Sequence, residues 1–323
     1  MSGEPNDKPR LFDAQAWIRA RERAMRNGYL GGGDVFARLV AERIGERLED
    51  VNRAFPSAVL AGTGAGILAG ALPAAIGRRG QGLAMTDPSP AMLAAAAQRL
   101  PEAEALTWRG ETLPFEPGRA ALAVSFGLLH WLEDPVGHLV QLRLALAPDG
   151  LMIAVMAGGQ SLAALRAALA SAEAEVTGGL RPRVAPMGEI RDLGALLQRA
   201  GFQMPVSDSE RLTMSHSDAL ALMRDLRAMG ETNALAARSR SFTPRSVLMR
   251  AAALYAETQG TAEGRVVTEI ELVFLTGWSP GPDQPTARRP GSASARLADA
   301  LGTTERSAGE KATGGAGPPK KRS

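Results

Sequence analysis

Three glycines stand at alternate positions, Gly62, Gly64 and Gly66, and the apolar run Ser57–Ala61 leads into them. Glycine reaches positive φ without strain and lets a ligand come close to the backbone. Thr63 sits between the first two. A second apolar run, Gly82–Thr86, ends in Asp87-Pro88-Ser89. A carboxylate in that place can accept hydrogen bonds from both hydroxyls of a ribose. Strand, glycine turn, helix, strand and acid are the parts with which a parallel α/β sheet holds a nucleoside. A plain strand-to-helix turn carries the same glycines, and Asp87 could also serve the start of a helix at Ser89.

Other residue types narrow the chemistry. The chain has no cysteine, so disulfides, thiolate metal sites and a cysteine nucleophile are excluded. It has three histidines, His130, His138 and His216. His130 follows an apolar run and could act as a general base, or pack beside Trp131 under a lid. His216-Ser217-Asp218 has the His-x-Asp spacing of a non-haem iron site. No later histidine completes such a set, and Ser217-Asp218 also reads as a helix start, so no metal is expected. Arg224-Asp225-Leu226-Arg227 and Gly230-Glu231-Thr232-Asn233 would fit either recognition of a partner peptide or a salt-bridged surface helix stopped by glycine.

The elements that must position these groups follow from periodicity. Leu11–Asn27 is an arginine-rich amphipathic helix, and Asp34 precedes a second helix from Val35 to about Val51. Such basic helices pack on a domain or touch a membrane or partner. The strand at Ser57–Ala61 is followed by a helix-like segment Ile67–Ile76, a strand to Thr86, a helix Ala91–Leu100 and a strand Glu104–Trp108. Ala120–Phe126 is uniformly small and apolar, as a strand covered on both faces should be. A helix Pro135–Ala147 and a strand Leu151–Met156 follow. The alternation with short connections predicts a parallel, doubly wound sheet. Beyond it the pattern predicts helices at about Ser161–Val176, Ile190–Ala200, Asp218–Met229 and Arg245–Thr258, an extended Leu212–His216 and a last strand Val266–Trp278.

The chain has 323 residues, 45% of them apolar, enough for one large α/β domain with additions. Lysine and arginine exceed aspartate and glutamate by 37 to 34, too slight an excess to argue for nucleic acid. The basic excess gathers beyond Ser279, where proline, glycine, serine and charge predict an irregular to disordered tail over 279–323 with one short helix at most, Ala293–Leu301. Residues 1–10 are expected to be disordered. They do not form a signal peptide, and no apolar run is long enough to span a membrane, which fits a cytoplasmic protein with at most a peripheral membrane contact.

The order of motifs resembles the class I S-adenosylmethionine-dependent methyltransferases. The matching pieces are the glycine turn, Asp87-x-Ser89-x-x-Met92-Leu93, Glu111-x-Leu113-Pro114-Phe115, Leu129-His130-Trp131 and Leu146-x-Pro148-Asp149-Gly150-Leu151. Gly178–Pro186, Ile190–Phe202, Leu222–Leu235 and Leu275–Pro280 resemble the bacterial relatives of a mitochondrial respiratory complex I assembly factor, near the malonyl-carrier-protein methyltransferases of biotin synthesis. The resemblance implies a Rossmann-like methyltransferase domain over 11–278, with a helical lid at 11–54 and a helical insertion at about 180–243. It implies S-adenosylmethionine at Gly62, Thr63, Gly64, Gly66, Asp87, Pro88, Ser89, Arg109, Gly110 and Glu111, with His130 as the catalytic candidate. It also implies a protein substrate or a respiratory-complex subunit as partner, with arginine hydroxylation reported in the assembly-factor branch. Three acids of the family pattern are replaced here, by Leu60, by Arg109 and by Ala121 or a neighbour. Charge-assisted bonds contribute about 1.5–3 kcal/mol each. Losing two would weaken the cofactor by about 10²–10⁴-fold, so the alternatives are a weak site, a different nucleotide-like ligand, or a retained scaffold that only binds a partner.

Overall fold

In the computed structural model, residues 10–72, 80, 82–282, 284, 302 and 303 are described. The chain divides into two units, Met1–Pro282 and Asp283–Ser323, and the sheet with its helices belongs to the first. The expectations for residues 1–9, for most of the tail with its helix Ala293–Leu301, and for the second half of Ile67–Ile76 lie outside the described residues.

Seven strands form one sheet in the order β3-β2-β1-β4-β5-β7-β6. They are β1 (Ala58–Ala61), β2 (Leu83–Thr86), β3 (Glu104–Ala105), β4 (Ala120–Phe126), β5 (Leu146–Gly158), β6 (Gln203–His216) and β7 (Val266–Trp278). The first five are parallel. Strand β7 runs antiparallel to both β5 and β6. The order reverses between β1 and β4, so the crevice at the carboxyl ends of β1, β2 and β4 is the switch point where this architecture holds ligands.

Burial on both faces explains the composition of the central strands. Leu60, Leu122 and Val124 point into one core with Val40, Ile44 and Met92. Val59, Ala61 and Ala123 point into the other with Leu139, Leu142 and Leu197. The helices supplying these side chains are α2 (Val35–Glu49), α3 (Pro90–Arg99), α4 (Pro135–Ala145) and α6 (Ile190–Arg199). A third cluster joins α5 (Ala163–Thr177), α7 (Ala219–Met229) and α8 (Arg245–Gln259) above the carboxyl ends of the strands.

Several expected boundaries shift for local reasons. Helix α1 (Ala14–Arg26) starts three residues later than Leu11, because the Asp13 carboxylate accepts the Ala16 N–H at 2.9 Å and caps it there. Asp34 does precede α2, but its carboxylate makes no capping bond and accepts instead from Arg38 at 2.6 Å. The glycine turn leads into two short 3₁₀ turns, Gly64–Gly66 and Leu68–Ala71, rather than an α-helix. Asp218, not Ser217, caps α7, its carboxylate accepting the Ala221 N–H. The insertion expected at about 180–243 is interrupted, because α6 packs on the sheet and β6 pairs along β7 from Gln203↔Trp278 to His216↔Val266. Gln203–Arg211 carries no apolar alternation in its sequence because its half-buried side holds Asp208 and Glu210, paired with Arg47 and Arg43 of α2.

Candidate functional site at the switch point

The glycine turn and Asp87 meet. The Asp87 carboxylate accepts the Thr63 backbone N–H at 2.8 Å and the Thr63 hydroxyl at 3.0 Å, so the end of β2 is tied to the turn after β1. Its other oxygen accepts the Ser89 N–H at 2.9 Å, and the Ser89 hydroxyl accepts the Met92 N–H and caps α3. Asp87 thus ties the glycine turn to the residue that caps α3; the cap itself is Ser89, not Asp87. Gly62, Gly64 and Gly66 all have positive φ, at 84°, 52° and 91°. Packing demands them as well, since a methyl group on Gly66 would lie 3.1 Å from Ala96 Cα and one on Gly62 would overlap the Phe126 carbonyl.

The N-terminal helix reaches into this site. Arg21 of α1 donates to both Asp87 oxygens, at 3.2 and 3.5 Å, and lies 3.9 Å from Glu231 beyond α7. Asp87 and Glu231 hold the guanidinium's affinity for its proton above the ordinary value despite its burial, which opposes the charge. The neighbouring Glu22 accepts from the Ser89 hydroxyl at 2.6 Å and from the Ala91 N–H at 2.9 Å. Two consecutive charged residues of α1 thus clamp the Asp87-Pro88-Ser89 turn. In the fold Arg21 shares the buried face of α1 with Trp17, Ala20 and Ala24, which periodicity alone does not single out among the arginines of this helix. A charge on that face needs a buried partner.

Two cavities flank the clamp. One, of about 270 Å³, lies among Trp17, Pro88, Trp108, Gly110, Glu111 and His138. The sequence candidates Pro88, Gly110 and Glu111 line it; Arg109 does not, and its side chain is exposed. Trp108 stacks on His138, with ring centres 5.8 Å apart. His138 is fully buried beside the Ser125 hydroxyl at 3.0 Å, and burial pushes its pKa down to about 4, so it is neutral. The second cavity, of about 250 Å³, is bounded by the ends of β4 and β5, by α7 and by the segment 183–187. Five methionines, Met156, Met187, Met214, Met223 and Met229, line it, with Arg21, His130 and Glu231 among its polar walls.

His130 is placed at this second cavity, its Nε2 3.5 Å from Glu231. Glu231 also accepts the Trp131 indole N–H at 2.7 Å. Burial raises the Glu231 carboxyl, but the His130 bond and charge, then Arg21 and Trp131, outweigh it and leave it below its ordinary value. Trp131 is packed by Phe12 edge-on and by Trp17 in a stack, while His130 borders the second cavity. His216 sits elsewhere, its Nδ1 2.9 Å from Asp225, and Asp218 is engaged as the α7 cap.

This frame accommodates a nucleoside with one exchange. A carboxylate has about four acceptor directions, and here Asp87 takes bonds from Thr63, Ser89 and Arg21. A ribose would have to take the place of Arg21. Trp17 Nε1 and Arg21 Nε are buried donors beside the two cavities with no partner within the described protein, and His130 Nδ1 is a buried ring nitrogen without one. Buried polar groups are ordinarily satisfied, and these three stand where the polar atoms of a ligand would meet them.

Residues 59–154 match the family model for a methyltransferase domain. The chain is 34% identical over 260 residues to the arginine-hydroxylase NDUFAF5, mitochondrial, of Danio rerio, which covers 80% of each chain. It is 32% identical over 284 residues to the Homo sapiens protein of that name, covering 88% of this chain and 81% of the human one. It is 32% identical over 258 residues to the malonyl-[acyl-carrier protein] O-methyltransferase of Laribacter hongkongensis, covering 76% of this chain and 83% of that one. In fold it is similar to the YcgJ protein of Bacillus subtilis, with a TM-score of 0.50 at 14% identity, covering 73% of this chain and 97% of that one. At these identities and coverages the chain belongs to the NDUFAF5 family, within the class I S-adenosylmethionine-dependent methyltransferases.

Proposed function

We propose that the protein is an S-adenosylmethionine-dependent, methyltransferase-like modifier of a protein substrate. The observation that carries this reading is the contact of Asp87 with Thr63 at 2.8 Å, which sets an acid against the glycine turn at the switch point. Beside it lies a cavity bordered by Pro88, Trp108, Gly110 and Glu111, of a size for an adenine. S-adenosylmethionine, when bound, supplies a methyl group on a sulfonium. The protein's part is to hold and orient. Asp87 would take the ribose hydroxyls once Arg21 has left it, and Trp108 and Pro88 would flank the base. Arg21, then freed of Asp87, keeps Glu231 within reach. His130, steadied by Glu231 on the substrate-side cavity, is the group that would take a proton from an acceptor there.

A second reading is a respiratory-complex assembly factor that binds its subunit with or without catalysis, and one observation favours it. The acid that the superfamily places at the end of its first strand is here Leu60, fully buried in the sheet core. In the clamped state Asp87 is also already neutralised by Arg21. The relatives' name, arginine-hydroxylase, suggests an arginine of a partner protein as the modified residue under either reading.

Calorimetric titration with S-adenosylmethionine and its demethylated product separates the two. Micromolar binding that Asp87→Asn abolishes supports the cofactor reading. Absence of heat at millimolar ligand refutes it and leaves the binding factor.

A further inference from the structure

The methionine-lined cavity at the ends of β4 and β5 has few polar groups on its wall, and most of them are engaged. Arg21 donates to Asp87, and Arg183 donates to both oxygens of Glu173, at 2.7 and 2.9 Å. The Ser161 hydroxyl donates to the Gly158 carbonyl and accepts the Glu271 N–H. Thr232 accepts from Arg23, and the Asn233 side chain donates to the Pro182 carbonyl and accepts the Leu235 N–H. Glu231 Oε2 accepts the Trp131 indole N–H and lies 3.5 Å from His130 Nε2.

A donor and an acceptor are left over. Tyr29 lines the cavity and is only 5% exposed, and its hydroxyl has no hydrogen-bond partner among the described residues. Burial pushes its pKa above the ordinary value against the pull of Arg21, so it stays a phenol that can donate. Glu231 Oε1 is the acceptor: no described donor comes within hydrogen-bond distance of it, and Arg21 stands 3.9 Å away. Tyr29 and Glu231 both act on the Arg21 guanidinium, so they share one end of the cavity. Buried polar groups are ordinarily satisfied, and this pair asks for a ligand atom that both accepts and donates.

Size and charge narrow the occupant. A cavity of about 150 Å³ holds a benzene, and one of about 250 Å³ has room for about ten carbons. Five methionines and the rings of Phe36, Phe126 and Trp131 on the wall favour an aromatic body, which sulfur and ring edges contact well. A cation could reach Glu231 only beside Arg21, and an anion could reach Arg21 only beside Glu231. A hydroxyl satisfies both open groups without charge.

We propose that this cavity binds a neutral aromatic hydroxy compound of about ten carbons, its hydroxyl between Tyr29 and Glu231 and its rings among the methionines. The occupant is a small molecule, distinct from S-adenosylmethionine and from a partner protein, and its binding requires neither.

The test is calorimetric titration of the full chain, without cofactor, with 2-naphthol, 2-naphthoate and n-butylguanidinium. The neutral naphthol is expected to bind with a Kd of about 100 µM or tighter, and the two ions at least about tenfold more weakly. Tyr29→Phe should weaken naphthol binding by about tenfold and keep the thermal midpoint, because the hydroxyl it removes has no partner in the fold. Met223→Trp, which fills the cavity from α7, should abolish binding. The proposal is overturned if naphthol gives no heat, if Tyr29→Phe binds like the wild type, or if binding survives in a folded Met223→Trp. It is also overturned if either ion binds more tightly than naphthol, which would assign the cavity to a charged ligand such as a partner's side chain. Where Met223→Trp does not fold, Tyr29→Phe decides. All of these readouts are taken without S-adenosylmethionine, so failure here leaves the cofactor reading standing.

Discussion

Arg21 and Asp87 form an ion pair at 3.2 Å in which neither side chain is more than 5% exposed. The pair joins the N-terminal helix to the acid that a nucleoside needs. Under the proposed cofactor reading, helix α1 and a ribose would compete for this one carboxylate, and ligand binding would be coupled to release of Arg21 from the β2 turn.

Arg21→Met tests this coupling with a flexible, uncharged side chain that fills the inner part of the space Arg21 occupies. It leaves Asp87 with its bonds from Thr63 and Ser89 but without a cation, which should lower stability by about 3–5 kcal/mol. The same change frees acceptor directions on Asp87. Affinity for S-adenosylhomocysteine should therefore rise by about tenfold, a gain of about 1.4 kcal/mol, in calorimetry. Weaker binding in Arg21→Met would show that Arg21 supports the ligand rather than excluding it.

His138 sets a pH dependence. Its folded pKa is about 4 because burial penalises the charged ring, while the unfolded chain titrates near 6.5. Between these values the unfolded state binds more protons, so stability rises with pH. It is fully present above 6.5 and is lost as pH falls toward 4, by about 3 kcal/mol. Urea unfolding at pH 7, 5.5 and 4 should show this loss, and His138→Gln, which has no titrating ring, should flatten it across that window.

Glu231 acts lower on the pH scale. His130, Arg21 and Trp131 hold its carboxyl below the ordinary value against the opposing effect of burial. A depressed carboxyl contributes stability above its unfolded value, and that contribution is lost as pH falls through the folded one. The window lies below about pH 4.5, the ordinary value of the group. Glu231→Gln should remove the part of the acid-induced loss that lies there and leave the His138 window unchanged. Differential scanning calorimetry at pH 3.5 and pH 5.5 distinguishes the two, since a Glu231→Gln profile parallel to wild type at both would deny Glu231 this role.

The sheet was legible because parallel strands covered on both faces read as apolar runs, as Ala120–Phe126 does, and because the glycine turn and Asp87 fall at the switch point. The α1 clamp was less legible. Arginines recur all along α1, and periodicity alone does not say which of them turns inward until Trp17, Ala20 and Ala24 are seen buried beside Arg21. Glu231 was visible only within a segment that fitted either partner-peptide recognition or a glycine-stopped helix, since its partners His130 and Trp131 lie about a hundred residues away in the chain. His138 sits one turn into α4, and nothing in its neighbours announces that Trp108 covers it. Strand β6 was underestimated because its sheltered positions over 207–210 are polar, Asp208 and Glu210 pairing with Arg47 and Arg43 of α2, although exposure alternates along it.

The three glycines before α2, Gly31, Gly32 and Gly33, supply the last test. In the fold they differ: a methyl group on Gly31 meets nothing within 4 Å, whereas one on Gly33 would overlap the Ala228 backbone carbonyl in α7 and lie 3.2 Å from Tyr29 Cα. Gly33 is thus the point where the backbone of the lid touches the cap helix that leads to Glu231. Backbone cannot move aside as a flexible side chain can, so Gly33→Ala should push α7 away from the lid and cost about 1–3 kcal/mol. Gly31→Ala, in open space, should change stability by no more than about 0.5 kcal/mol. Because α7 ends at Gly230, beside Arg21, the Gly33 change should also loosen the reach of Arg21 to Glu231. Hydrogen exchange should then quicken in α1 and α7 together while β4 and β5 keep their protection. Equal stability of the two glycine variants would mean that the lid and cap do not bear on each other at this point.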